Sequence, residues 1–156
     1  MGHAGGDHPA RQIFVSYSHR DEAHKDRLLV HLKLLERQGL VAPWTDRQIM
    51  PAEEWEPAIE EHLEAADLII LLISADFLAS EYCWGKELAH AMARHHAGTA
   101  AVLPVFVKPC DWARAPFGRL QGVPKDAKPI AHFANPNDGW VQVAAAIRVL
   151  AEGTPG

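Results

Sequence analysis

The chain is 156 residues long and 48% hydrophobic, with 15 Lys and Arg against 20 Asp and Glu and a formal charge of −5. That length holds one domain with its own core and excludes two ordinary ones. An acidic balance with no basic patch excludes nucleic acid as the main partner, because phosphate binding needs a cationic face.

Residues 1–11 are rich in Gly and His without periodicity, which reads as a disordered leader before a domain at 12–151. Ile13-Phe14-Val15 is a short apolar strand. Ser18 and Asp21 then have the spacing of a capping box. The helix that follows carries Leu28, Leu29, Leu32 and Leu35 on one face and stops at Gly39. Leu40–Trp44 is a second strand, and Pro43 assigns it to an edge. After the loop Thr45–Pro51, a second helix starts near Glu53–Pro57, with Trp55, Ile59, Leu63 and Ala66 turned inward.

Leu68–Ile73 is apolar without alternation, the pattern of a parallel strand covered on both faces. Ser80 is expected to cap a third helix running to His96 and closed by Gly98. Ala101–Val107 reads as a fourth strand, in which Pro104 removes a ladder bond. A Pro-bearing connection with one helical turn near Phe117–Gln121 leads to a fifth strand at Pro129–Phe133. Asn137 and Asp138 are expected to cap a last helix with Trp140, Ala144, Ile147 and Ala151 on its inner face. Residues 152–156 read as the start of a linker, so the domain is expected to be the N-terminal effector of a longer protein.

Strands alternating with helices predict an α/β fold: a flavodoxin-like, open, five-stranded parallel sheet of order 2-1-3-4-5, with helices on both faces. Ligands of such sheets bind beyond the carboxyl ends of the strands, where the order reverses between the first and third. That rule selects Ser16–Arg20 and Ser74–Glu87, with Thr45–Pro51 opening on the same side.

Several chemistries are excluded there. A phospho-accepting receiver needs an Asp ending the third strand and an acidic pair ending the first, and this chain has Ser74 and Ser16-Tyr17-Ser18. GxGxxG, GxxxxGK[ST] and GxSxG are absent. Ten histidines include no HExxH and no pairing with CxxC, so no metal is expected. Two cysteines, Cys83 and Cys110, make neither a disulfide framework nor a zinc cluster and point to a reduced, cytoplasmic setting. The N-terminus has no signal-peptide pattern, and Leu68–Ile73 is too short to span a bilayer, so no membrane partner is expected. The carboxylate left in the crevice is Glu87, which shares a helix face with Cys83 and Arg94. Periodicity alone makes it an ordinary solvated carboxylate.

A resemblance changes that reading. Ile13–Ser18 is similar to the first box of TIR (Toll/interleukin-1 receptor) domains of the bacterial kind. Trp44–Trp55 resembles the family's BB loop and the helix after it. Leu71–Ser74, Phe77-Leu78, Ser80, Tyr82-Cys83 and Glu87-Leu88 match the segment ending in the family's catalytic glutamate, and Leu103–Phe106 and Trp140 also fit.

The resemblance implies an NAD+ glycohydrolase of signalling or innate immunity, active in bacterial defence and switched on by self-association. Glu87 would be catalytic, with Ser18, His19, Asp46, Arg47, Ser74, Tyr82, Cys83 and Trp84 binding substrate. NAD+ would be the substrate, with no separate cofactor. Ile49, Met50 and Pro51 would form a loop contacting other TIR domains. The family also contains non-catalytic adaptors that only recruit other TIR domains, which is the alternative function. Many enzymatic members carry Trp four residues before the glutamate, whereas this chain has Cys83 there and Trp84 next to it.

Overall fold

The computed structural model describes residues 9–45, 55–81 and 83–153, without the side chains of residues 55 and 56. Strand β1 (Arg11–Ser16) begins one residue before the expected domain start. It pairs in parallel with β2 (Val41–Trp44) on one side and with β3 (Leu68–Ile73) on the other. Strand β4 (Ala101–Phe106) lies parallel to β3, which gives the order β2-β1-β3-β4. The fold is an α/β sandwich with β2 at an edge, where the donor missing from Pro43 is tolerated.

Strand alternation sorts the side chains into two cores. Ile13, Val15, Leu68, Ile70, Leu72, Leu103 and Val105 face one of them. There α1 (Glu22–His31), α2 (Lys33–Arg37) and α6 (Pro136–Ala151) add Leu28, Leu32, Leu35, Trp140, Val143 and Ile147. Phe14, Ile69, Leu71, Ile73, Val102 and Phe106 face the other core. It is closed by α3 (Trp55–Ala65), α4 (Ala75–Ala79) and α5 (Leu88–Ala97) through Ile59, Leu63, Phe77, Leu88, Ala91 and Met92. Every residue of β3 is buried, as an apolar run without alternation requires. The expected helix stops are present: Gly39 and Gly98 have φ of 75° and 76°, the left-handed region where a Cβ is penalised.

Several expectations are corrected. Pro129–Phe133 is not a fifth strand; Ile130–His132 is a 3-10 turn, so the sheet has four strands among the described residues. Pro124 and Pro129 lack ladder donors, and the outer edge of β4 is already occupied by Val123. Val123 donates its N–H to the Pro104 carbonyl and accepts from the Phe106 N–H. Those contacts also show that Pro104 turns its donorless nitrogen away from β3, so no bond between β3 and β4 is lost.

The expected first helix divides at Leu32 into α1 and α2. Ser74 caps a further short helix, α4, which Ser80 ends. Ser80 also opens the expected third helix, its Oγ accepting from the Cys83 N–H, and that helix carries a π-turn at Cys83–Glu87 before α5. The last helix is capped by Asn135 with Pro136 in its first turn, ahead of Asn137 and Asp138.

Because β3 is buried on both faces, Ile70→Ala and Leu71→Ala should destabilise comparably although they point in opposite directions. Each should lose about 2–5 kcal/mol in denaturant unfolding. A near-neutral result for either one would mean that its face of the sheet is open.

Candidate functional site

Phe14 faces the α3–α5 core, so period-two alternation puts Ser16, the last residue of β1, on the same side. Across from it, Ser80 Oγ accepts from the Cys83 N–H at 3.2 Å as the chain enters a π-turn at Cys83–Glu87. Single π-turns within helices recur at functional positions. Cys83 and Glu87 both turn toward the end of β1. The Cys83 thiol donates to the Tyr17 carbonyl at 3.4 Å, and Ser16 Oγ donates to Glu87 Oε1 at 2.5 Å.

Both residues are buried, Cys83 at 4% exposure and Glu87 at 7%, so Glu87 is not an ordinary solvated helix carboxylate. A hydroxyl donor stabilises a carboxylate in its ionised form and fixes its orientation.

Glu87 borders a groove of about 810 Å³ between α3 and α5. Ile59 and Leu63 supply apolar wall, while Glu60, Glu64, Lys86 and His90 are its polar lining. His90 Nε2 lies 2.6 Å from Glu64 across the groove. Arg94, expected to share a face with Glu87, instead donates to the carbonyls of Leu63 and Ala66 at 2.9 and 2.5 Å. It caps the end of α3 and joins the two walls.

A second cluster lies behind the strand ends. Asp21 is fully buried; its carboxylate accepts from Ser74 Oγ at 2.5 Å and meets Lys108 Nζ at 2.7 Å. Asp21 was expected to complete a capping box, but it links the segments after β1, β3 and β4 instead. Lys108 also reaches Asp76 at 3.4 Å. The hydrogen bond to Asp21 raises the Lys108 pKa above 10.5, against a smaller opposing effect of burial. His24 is pushed below 6.5 by burial; Asp21 partly opposes that shift and Lys108 adds to it.

The expected site residues therefore separate. Ser18 caps the turn His19–Asp21, its Oγ accepting from the Arg20 N–H at 3.2 Å. His19 is exposed, its ring 5.7 Å from Tyr17. Ser74 is fully buried, donating to Asp21 and accepting from the Phe77 N–H, so it does not line the groove. Cys83 is spent on Tyr17, while Trp84 is 41% exposed.

Asp46, Arg47, Ile49, Met50, Pro51 and Tyr82 lie outside the described residues. Ser16 lay in the selected segment Ser16–Arg20 without a role of its own, and Asp21 and Lys108 were absent from the expected site. Alternation from Phe14 could have found Ser16, whereas no local pattern joins Asp21 to Lys108. Among the described residues no group of His, Cys, Asp and Glu is disposed to hold a metal, and no helix is long and apolar enough to cross a membrane.

A model of the TIR domain family matches residues 13–135. The uncharacterised protein y4lF of Sinorhizobium fredii is 46% identical over 139 residues, which cover 89% of this chain and 43% of that protein. The chain thus spans less than half the length of this relative. Among solved structures, the TIR domain of the Toll-related receptor TRR-2 of Hydra magnipapillata aligns with a TM-score of 0.57 at 20% identity, covering 71% of this chain and 81% of that one. The TIR domains of the activated Roq1 resistosome align at 0.55 and 14% identity, covering 93% and 86%. A prokaryotic SEFIR domain aligns at 0.54 and 15%, covering 94% and 95%. At these identities the likeness is one of fold.

The Asp21 cluster gives stability a defined pH window. Lys108 has its pKa raised by folding, so its contribution is complete below 10.5 and lost as pH rises through the folded value. His24 has its pKa lowered, so stability holds above 6.5 and falls as pH drops toward the folded value. Lys108→Met, which strands the Asp21 carboxylate, should cost about 2 kcal/mol or more at neutral pH and flatten the alkaline limb. Chemical unfolding between pH 5 and 11 (about the range bracketing both groups) measures this, and an alkaline limb unchanged in the variant contradicts it.

Proposed function

Because the chain belongs to the TIR domain family, we propose that it is an NAD+ glycohydrolase whose catalytic carboxylate is Glu87. The observation that carries this reading is the setting of that carboxylate: 7% exposed, held by Ser16 at the carboxyl end of β1, and bordering the groove between α3 and α5. A carboxylate fixed in a largely dry setting stabilises positive charge far better than one in water.

That is what the reaction asks for. Nicotinamide leaves from a cationic pyridinium as a neutral base, so the leaving group needs no general acid. Breaking its bond to the ribose produces an oxocarbenium-like sugar, as in glycoside cleavage. Glu87 beside the ribose orients its hydroxyls and stabilises that cation. Water then adds to the anomeric carbon and loses a proton, giving ADP-ribose. Capture by the adenine of the same molecule, again with loss of a proton, gives a cyclic product.

Ser18 and His19, on the turn after β1, and the exposed Trp84 are proposed to contact NAD+. Asp46, Arg47 and Tyr82 join them by the family resemblance alone. The domain is further proposed to act in cytoplasmic signalling or defence by assembling with other TIR domains through Ile49, Met50 and Pro51. The resistosome containing TIR domains of this fold supports that reading.

Glu87→Gln should retain the melting temperature and lower nicotinamide release from NAD+ at least about a hundredfold. Undiminished release by a folded variant removes Glu87 from the chemistry. No release by the wild-type chain at any concentration leaves the adaptor reading. If assembly completes the site, nicotinamide release per molecule should rise as protein concentration rises. A rate per molecule that stays constant down to a demonstrably monomeric sample contradicts activation by self-association.

A further inference from the structure

We infer that Ser16 is a positioning residue for the cleavage, acting through Glu87; the inference rests on the catalytic reading of that glutamate. Ser16 is 1% exposed, and its hydroxyl donates to Glu87 Oε1 at 2.5 Å. Its backbone is fixed by its register opposite Leu71 of β3. Strand geometry therefore delivers this hydroxyl to one place, with little freedom to follow the carboxylate if the π-turn shifts.

The neighbouring residue adds a second tie, since the Tyr17 carbonyl accepts from the Cys83 thiol. The π-turn is thus held to the end of β1 at both of its ends, Cys83 and Glu87. Ser16 is the tie that acts on the reacting group. By engaging one carboxylate oxygen it sets the rotation of the other, which is the property a cation-stabilising carboxylate depends on. Ser16 itself need touch no substrate.

Such a residue has a kinetic signature. Ser16→Ala should lower kcat for nicotinamide release about ten- to hundredfold, because a hydrogen bond to a charged group is lost from the transition state. KM should change by less than about twofold, because ground-state binding is untouched. Ser16→Thr, which keeps the hydroxyl and suits a strand, should restore most of the loss.

The contact is also readable without turnover. In the isotope-labelled wild-type chain, the Glu87 side-chain carboxyl carbon, assigned by its absence in Glu87→Gln, should shift between H2O and D2O. That shift should shrink in Ser16→Ala. A wild-type kcat in Ser16→Ala, a rise in KM in place of the fall in kcat, or no isotope effect in the wild type overturns the inference. A chain that releases no nicotinamide sinks the reaction but not the contact, which the carbon resonance then decides alone. If Ser16→Ala does not fold, the wild-type isotope effect and the kcat of Ser16→Thr carry the test.

Discussion

The fully buried carboxylate of Asp21 is the constraint from which the arrangement at the strand ends follows. A charge with no access to water needs donors or a counter-ion close by. Here they come from Ser74, one residue past β3, and Lys108, just past β4. Asp21 itself sits in the turn after β1. Three connections with little else in common are therefore fixed relative to one another. The same Ser74 hydroxyl accepts from the Phe77 N–H and so starts α4. Fixing Ser74 thereby fixes where the chain leaves β3, and hence where the π-turn meets the sheet.

From that anchor the position of Glu87 is largely geometric. Alternation along β1 gives Phe14 to the α3–α5 core and brings Ser16 to the same face at the strand's end. α5 packs on that core through Leu88, Ala91 and Met92, so the residue just before it arrives opposite Ser16. Arg94 ties α5 to the end of α3, the two helices that wall the groove. A carboxylate that periodicity alone would leave in water becomes buried because both partners are determined by packing elsewhere.

Much of this could be read in the sequence wherever the signal was local. The apolar run Leu68–Ile73, the edge-seeking Pro43 and the glycines at 39 and 98 each carry their physics within a few residues. The crevice rule selected the end of the sheet where Ser16 and Glu87 meet, and the motif spacing singled out Glu87. What escaped was long-range or competitive. Pro129–Phe133 has strand composition, but Val123 had already taken the backbone groups of β4 that such a strand would need. Ser80 opens a helix as its sequence suggests, but no local pattern announces the π-turn before α5 or the extra helix that Ser74 caps. Asp21 has the spacing of a cap, and a half-buried lysine partner from after β4 outweighs that local role. Ser74 was expected at a ligand by the family resemblance, but its hydroxyl is used up in holding Asp21 and α4.

The substitution of Cys for Trp four residues before Glu87 has a physical meaning in this setting. The Cys83 sulfur reaches the Tyr17 carbonyl, a contact between the π-turn and the backbone itself. Cys83 is 4% exposed, so a bulkier side chain here would have to displace the packing around it. The same turn brings Glu87 within reach of Ser16. The aromatic residue stands one position later, and Trp84 is carried outward to 41% exposure. Small Cys83, outward Trp84 and buried Glu87 are thus one packing arrangement: the turn lies on the end of β1 through Cys83 and Glu87, and its bulky ring stands at the surface.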